Sequence, residues 1–161
     1  MNHKTVGIIF LYQIDPLHQF VKTNRGFWGS SISLLNKRIM IVDDEPDILM
    51  SLRIFFENNN YEVITVKNGF DCIKELKKGF RGIVLMDIMM PKMDGWETIK
   101  KIVENNLMEN IAIQIITGKG TKDHDKIIGL EPYIHDYLAK PFKADELILN
   151  VDNLYLKLFS K

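Results

Sequence analysis

The chain has little of what would mark it for a special environment. It carries one cysteine, Cys72, so no internal disulfide can form. Its four histidines, His3, His18, His124 and His135, are scattered and share no metal-ligand spacing with that thiol. Charge of neither sign is in surplus: Lys+Arg 21 and Asp+Glu 21 balance to +0, leaving no global field to attract nucleic acid or an anionic membrane. Long hydrophobic runs are missing too. The stretch "TVGIIFLYQI" near the start is apolar for about ten residues, roughly half of what a membrane helix needs, and no small-residue cleavage site follows it. These absences exclude a disulfide scaffold, a zinc module, a membrane span and a basic nucleic-acid binder, and point to a cytoplasmic chain. What remains, 46% hydrophobic and 26% charged over 161 residues, is a globular mixture long enough to bury one core.

From Lys37 onward, short β-rich apolar runs alternate with longer segments of helical period, the pattern of a parallel sheet covered by helices. The expected strands are "RIMIV" (38–42), "EVITV" (62–66), "GIVLMD" (82–87), "IAIQIIT" (111–117) and "IHDYLA" (134–139). Between them, "PDILMSLRIFFENN" places Ile48, Leu49, Leu52, Phe55 and Phe56 on one helix face. "NGFDCIKELKKG" has Asn68 as N-cap and Gly79 as its stop, with Cys72 as a small core residue. "WETIKKIVENN" and a short helix across "KDHDKIIGL" follow, with Glu131-Pro132 expected to end the latter early. The last helix, "KADELILNVDNLYLKLF", offers Leu147, Ile148, Val151, Leu154, Leu156 and Leu158 for packing, with surplus apolar surface for a partner. Five βα units with right-handed crossovers predict an α/β fold with a doubly wound five-stranded parallel sheet, strand order 2-1-3-4-5. Residues 37–161 form this domain. Residues 1–36 are expected to be a weakly structured N-terminal extension, the alternative being an appendage packed on the domain or on a partner.

In such sheets ligands bind beyond the carboxyl ends of the strands. That rim collects Asp43 and Asp44 after the first strand, Asp87 after the third, Thr117 after the fourth and Lys140 after the fifth. Clustered carboxylates repel one another, and a hard divalent cation such as Mg2+, which prefers oxygen ligands and keeps several waters, offsets that cost. A carboxylate beside such an ion is a nucleophile for phosphorus, and Asp87, alone at the end of the middle strand, is the candidate. Lys140 adds a point charge for a phosphoryl oxygen and the Thr117 hydroxyl a donor for another.

Four segments in this order, "IMIVDDEPDI", "VLMDIMMPKMDGWE", "IIT" followed by a small residue, and "DYLAKPF", give the chain a strong resemblance to the receiver domain of two-component response regulators. The resemblance runs from about Lys37 to Phe159 and implies a flavodoxin-like (βα)5 fold. It further implies that Asp87 accepts a phosphoryl group from a sensor histidine kinase or phosphotransfer protein, with Asp43 and Asp44 as the Mg2+ acids and the Met89 backbone carbonyl completing the metal shell. Thr117 and Tyr137 then form the switch that carries the change to the face of the fourth helix, fifth strand and fifth helix, and Lys140-Pro141 is expected to be cis. With nothing after the last helix, the expected output is a separate protein, a stand-alone receiver, and a homodimer is left open.

Two departures from the family pattern stand out. Met89, two places after Asp87, and Lys119, two places after Thr117, occupy positions that tune how water reaches the phosphoryl group. Because the Met89 side chain has no group to orient water, slow hydrolysis is expected. Two other classes stay in view: a Mg2+-dependent phosphohydrolase with an aspartyl nucleophile, and a receiver-like binding module that is never phosphorylated. The first usually carries D-x-D after the first strand and needs a substrate cap, whereas here Asp43 is followed two places on by Glu45. Against the second stand Asp87, Thr117 and Lys140.

Overall fold

The computed structural model describes residues 37–118 and 124–159. The expectations for residues 1–36 and for Lys119 lie outside the described residues. In chain order the elements are β1 (Arg38–Val42), α1 (Pro46–Asn58), β2 (Glu62–Val66), α2 (Gly69–Lys77), β3 (Gly82–Asp87), α3 (Gly95–Glu104), β4 (Ile111–Thr117), α4 (His124–Ile127), a 3-10 turn (Glu131–Tyr133), β5 (Ile134–Ala139) and α5 (Ala144–Phe159). All four strand pairings are parallel, and the order is β2-β1-β3-β4-β5, as the alternation predicted.

The strands are short, and β3, at the centre, is apolar up to Asp87 and buried along its whole length. Alternate residues feed two cores. Ile39, Ile41, Ile83 and Leu85 meet Leu49, Leu52 and Phe56 of α1 and Leu147, Val151 and Leu154 of α5. On the other face Met40, Val84 and Met86 meet Cys72 and Leu76 of α2, Trp96, Ile99 and Ile102 of α3, and Ile127 of α4. The helix ends follow local chemistry. Asn68 accepts a hydrogen bond from the Asp71 amide at 2.9 Å to start α2. Asp94 and Glu97 form a reciprocal capping box at α3, and Gly79 takes the left-handed conformation, φ 87°, where α2 stops.

Three details differ from expectation. Helix α4 ends at Ile127, before Glu131-Pro132, because the chain turns first through Gly129 at φ 83° and Pro132 falls inside the 3-10 turn. On α5, Leu147, Val151 and Leu154 are buried as expected and Tyr155 joins them, but Leu156 is exposed. Nine residues from Leu147 is two and a half helical turns, so Leu156 points the opposite way. Finally, β5 slips by one residue against β4 between Ile113 and Gln114, and the Ile113 amide donates to His135 Nδ1 at 3.2 Å in place of a strand carbonyl. Burial lowers the His135 pKa, and the Lys157 charge lowers it further.

At the amino end of the sheet, the Lys37 ammonium lies 2.7 Å from Asp152 Oδ1 on α5 and 4.4 Å over the Tyr61 ring, while the Tyr61 hydroxyl donates to the same oxygen at 2.6 Å. This group ties the start of β1 to the α1–β2 turn and to α5.

Candidate functional site

Strand register brings the site together. Val42 pairs with Met86, so the next residues, Asp43 and Asp87, come side by side at the carboxyl ends of the two central strands. Thr117 closes β4 opposite Ala139, so Lys140 is the first residue beyond that pair, and its amide donates to the Thr117 carbonyl at 2.7 Å. Asp43 and Asp87 are buried, Asp44 half-buried. One carboxylate oxygen from each of these three acids lies within 4.8 Å of the others.

Lys140 reaches into this cluster. Its Nζ is 3.2 Å from Asp43 Oδ2 and 3.4 Å from Asp87 Oδ1, so one cation is shared by two buried anions. Burial pushes the Asp43 carboxyl above its ordinary value of 3.8. Lys140 pulls it down, Asp87 pushes it up again, and the hydrogen bond from the Glu45 amide draws it down. Three acids against one lysine leave the pocket with excess negative charge.

A hard cation fits this donor set. The ligands are carboxylate oxygens only, and Asp44 Oδ1 is buried without a hydrogen bond, a lone pair that water or a cation would satisfy. A glycine shapes the loop that closes the pocket. A Cβ on Gly95 would stand 2.6 Å from the Asp87 carbonyl oxygen and 2.8 Å from Ile88 Cα, so the start of α3 can press against the end of β3 only without a side chain.

The sequence-selected residues fare as follows. Asp43, Asp44, Asp87 and Lys140 converge. Thr117 stands at the same rim, half-buried, with its hydroxyl donating to the Gly118 carbonyl at 3.2 Å. Tyr137 is half-buried against the α2–α3 core. The Met89 side chain is exposed, whereas Met90 packs inside. Lys140-Pro141 is cis, as the resemblance implied. In the turn before α1, Asp43 Oδ1 accepts from the Glu45 amide at 2.9 Å; the N-cap of α1 is Glu45, and neither Asp43 nor Asp44 supplies a side-chain cap.

Sequence reasoning passed over Asp94. Besides capping α3, it accepts a hydrogen bond from Lys126 Nζ at 2.8 Å and so joins α4 to the loop after Asp87. The D-x-x-E spacing of Asp94 and Glu97 was the available signal.

Comparison with known proteins agrees with this geometry. Residues 39–152 match the family model described as the response regulator receiver domain. The chain is 35% identical over 113 residues to the alkaline phosphatase synthesis transcriptional regulatory protein PhoP of Bacillus subtilis, covering 70% of this chain and 46% of that one. It is 36% identical over 120 residues to the response regulator SaeR of Staphylococcus epidermidis, covering 74% and 51%. The chain therefore spans about half the length of these curated relatives. Among solved structures, a CheY-like response regulator receiver domain protein from Methanospirillum hungatei superposes with a TM-score of 0.74 at 38% identity, covering 79% of this chain and all of that one. Among the described residues, no helix is long and apolar enough to cross a membrane.

Proposed function

The chain belongs to the response regulator receiver family, and from that premise we propose that it accepts a phosphoryl group on Asp87 from a sensor histidine kinase or phosphotransfer protein. The observation that carries this reading is the cluster itself: three carboxylates gathered within 4.8 Å and one lysine bridging Asp43 and Asp87. An Asp87 oxygen attacks phosphorus, the bond from phosphorus to the donor's histidine nitrogen breaks, and the electron pair leaves with that nitrogen. Lys140 supplies positive charge where the phosphoryl oxygens arrive, and the Thr117 hydroxyl turns from Gly118 to donate to one of them. Asp43, Asp44, Asp87 and the Met89 carbonyl would hold Mg2+, which neutralises charge on the carboxylates and on the incoming group. Positioning and electrostatics do most of the work in such a transfer, so no general base is assigned.

The added charge then biases Thr117 and Tyr137, and the change reaches the surface made by α4, β5 and α5. We further propose that the signal passes from this face to a separate protein in the cytoplasm. The test is the intact mass after incubation with acetyl phosphate and Mg2+, for wild type and Asp87→Asn. One added phosphoryl group on wild type alone supports the proposal. Continuous release of phosphate would mean a phosphohydrolase, and absence of an adduct with both acetyl phosphate and a phosphorylated kinase would mean a binding module.

A further inference from the structure

Of the three residues that follow Asp87, one faces water. Asp87 and Ile88 are buried and Met90 packs inside, while Met89 between them is 55% exposed. The turn is tight: the Ile88 carbonyl accepts from the Met90 amide at 3.1 Å and from the Gly95 amide at 3.0 Å. Two residues of chain keep the Met89 Cα within about 7 Å of the Asp87 Cα. Met89 is therefore the first side chain after Asp87 that solvent meets, a long flexible thioether within reach of that carboxylate.

Access separates Met89 from the other sulfurs. Met40, Met86, Met90, Met93 and Cys72 are buried and Met108 is half-buried. Among the described residues only Met50 on α1, 67% exposed, is as open. A peroxide thus reaches Met89 and Met50 first. The Met89 sulfur takes one oxygen from hydrogen peroxide: an S–O bond forms, the O–O bond breaks, sulfur gives up two electrons, and the reduced peroxide leaves as water. Oxidation at Met90 would put a polar group into the core, whereas at Met89 the fold is undisturbed. What changes is hydrogen bonding. A thioether is a weak acceptor, and its sulfoxide is polar, with an oxygen that accepts strongly. Beside a phosphorylated carboxylate, an acceptor of that kind holds and orients an attacking water, the role a positioned amide plays in other phosphoryl-transfer sites.

We propose that Met89 is an oxidation site that times the phosphoryl group: a peroxide converts its thioether to the sulfoxide, and the sulfoxide oxygen orients water onto phosphorus. This timing rests on the phosphorylation of Asp87 proposed above. The water oxygen bonds to phosphorus, the bond from phosphorus to the Asp87 oxygen breaks, the carboxylate is restored, and both protons of the water leave on the phosphate. Oxidant therefore shortens the signal, and methionine sulfoxide reductase lengthens it again.

The lifetime of the phosphoryl group, read by intact mass after acetyl phosphate and Mg2+ are removed, tests this with and without prior hydrogen peroxide. The dose is set so that peptide mapping finds one oxygen on Met89, and excess peroxide is destroyed before phosphorylation. Oxidised wild type is expected to lose its phosphoryl group several-fold faster than untreated protein, and reductase treatment to restore the longer lifetime. Met50→Leu should respond to peroxide as wild type does. Met89→Leu, which has no sulfur at this place, should show one lifetime before and after peroxide. An unchanged lifetime with Met89 oxidised would overturn the proposal. So would a shortening that persists in Met89→Leu, or oxygen on the buried methionines before Met89. Untreated protein that takes no phosphoryl group from acetyl phosphate or from a phosphorylated kinase would instead overturn the assignment of Asp87, and the timing with it.

Discussion

Replacing Asp43 with asparagine should stabilise the metal-free protein while removing its response to Mg2+. With an effective dielectric constant near 20, two carboxylates 4.8 Å apart repel by about 3.5 kcal/mol, and Lys140 attracts Asp43 at 3.2 Å by about 5 kcal/mol. The Asp43→Asn substitution removes two such repulsions, with Asp44 and Asp87, and one attraction, a net gain of about 2 kcal/mol before the relief of a buried charge's desolvation is added. The amide oxygen of the new side chain can still accept from the Glu45 amide. Half-burial of Asp44 screens part of its share, so the expected gain is about 1–3 kcal/mol, or about 3–10 °C in Tm. Thermal unfolding in EDTA reads the first effect, and titration with Mg2+ the second, since a ligand that binds only the folded state raises Tm with its concentration. The pH dependence has a definite sign. Burial raises the folded-state pKa of Asp43, so its protonated form contributes full stability below the ordinary value of 3.8, and that contribution is lost as pH rises through the folded value. The gap between variant and wild type should therefore be absent in acid and open toward neutral pH. A variant no more stable than wild type in EDTA, or equal stabilisation of both by Mg2+, would refute the electrostatic argument.

Other outcomes follow from the same structure. Gln114 is fully buried in β4 and neither atom of its amide has a hydrogen bond. Gln114→Met keeps the volume and should raise stability in urea unfolding by about 1–3 kcal/mol, the cost of such an orphaned group. A loss would mean that the amide is satisfied by water. The phosphorylated protein should lose its phosphoryl group over minutes or longer, and Met89→Asn, which adds a group able to orient water, should shorten that lifetime several-fold; loss within seconds in wild type would overturn the role given to Met89. Burial pushes the Cys72 thiol up to about 12, so it should resist a disulfide reagent at pH 8 in the folded protein and react at once in denaturant.

The fold was legible because its signals are local. Non-alternating apolar runs mark strands covered on both faces, and the short helices between them announce parallel pairing. The acids of the site were legible for a related reason: each follows a strand, and parallel strands in register put their ends on one rim. What escaped depends on groups far apart in the chain. Lys37 and Asp152 are 115 residues apart, and no period in either neighbourhood announces the pair. The slip between β4 and β5 needs an imidazole at His135 to meet one amide of Ile113, a fact of three-dimensional placement. Gln114 interrupts "IAIQIIT", yet alternation alone does not say whether its amide finds a partner. Asp43 rather than Asp44 bonds the turn before α1, because the chain leaving β1 aims the carboxylate of the first acid at the Glu45 amide.

The two ends of β1 show how this sheet separates stability from function. At its start, one lysine meets one aspartate, a tyrosine hydroxyl completes the bond set, and both charges are balanced. At its end, one lysine is divided between two buried carboxylates and a third stands beside them. The first arrangement is closed: a further ion has nothing to neutralise there. The second is open, because its residual negative charge is unfavourable until cations arrive, and the proposed anionic phosphoryl group would be accepted only once they do. On the function proposed above, the same pocket would weaken the fold when metal is absent and favour a metal-loaded, phosphoryl-ready state when it is present. A stabilising Asp43→Asn variant that has also lost phosphoryl uptake would show both properties arising from one carboxylate.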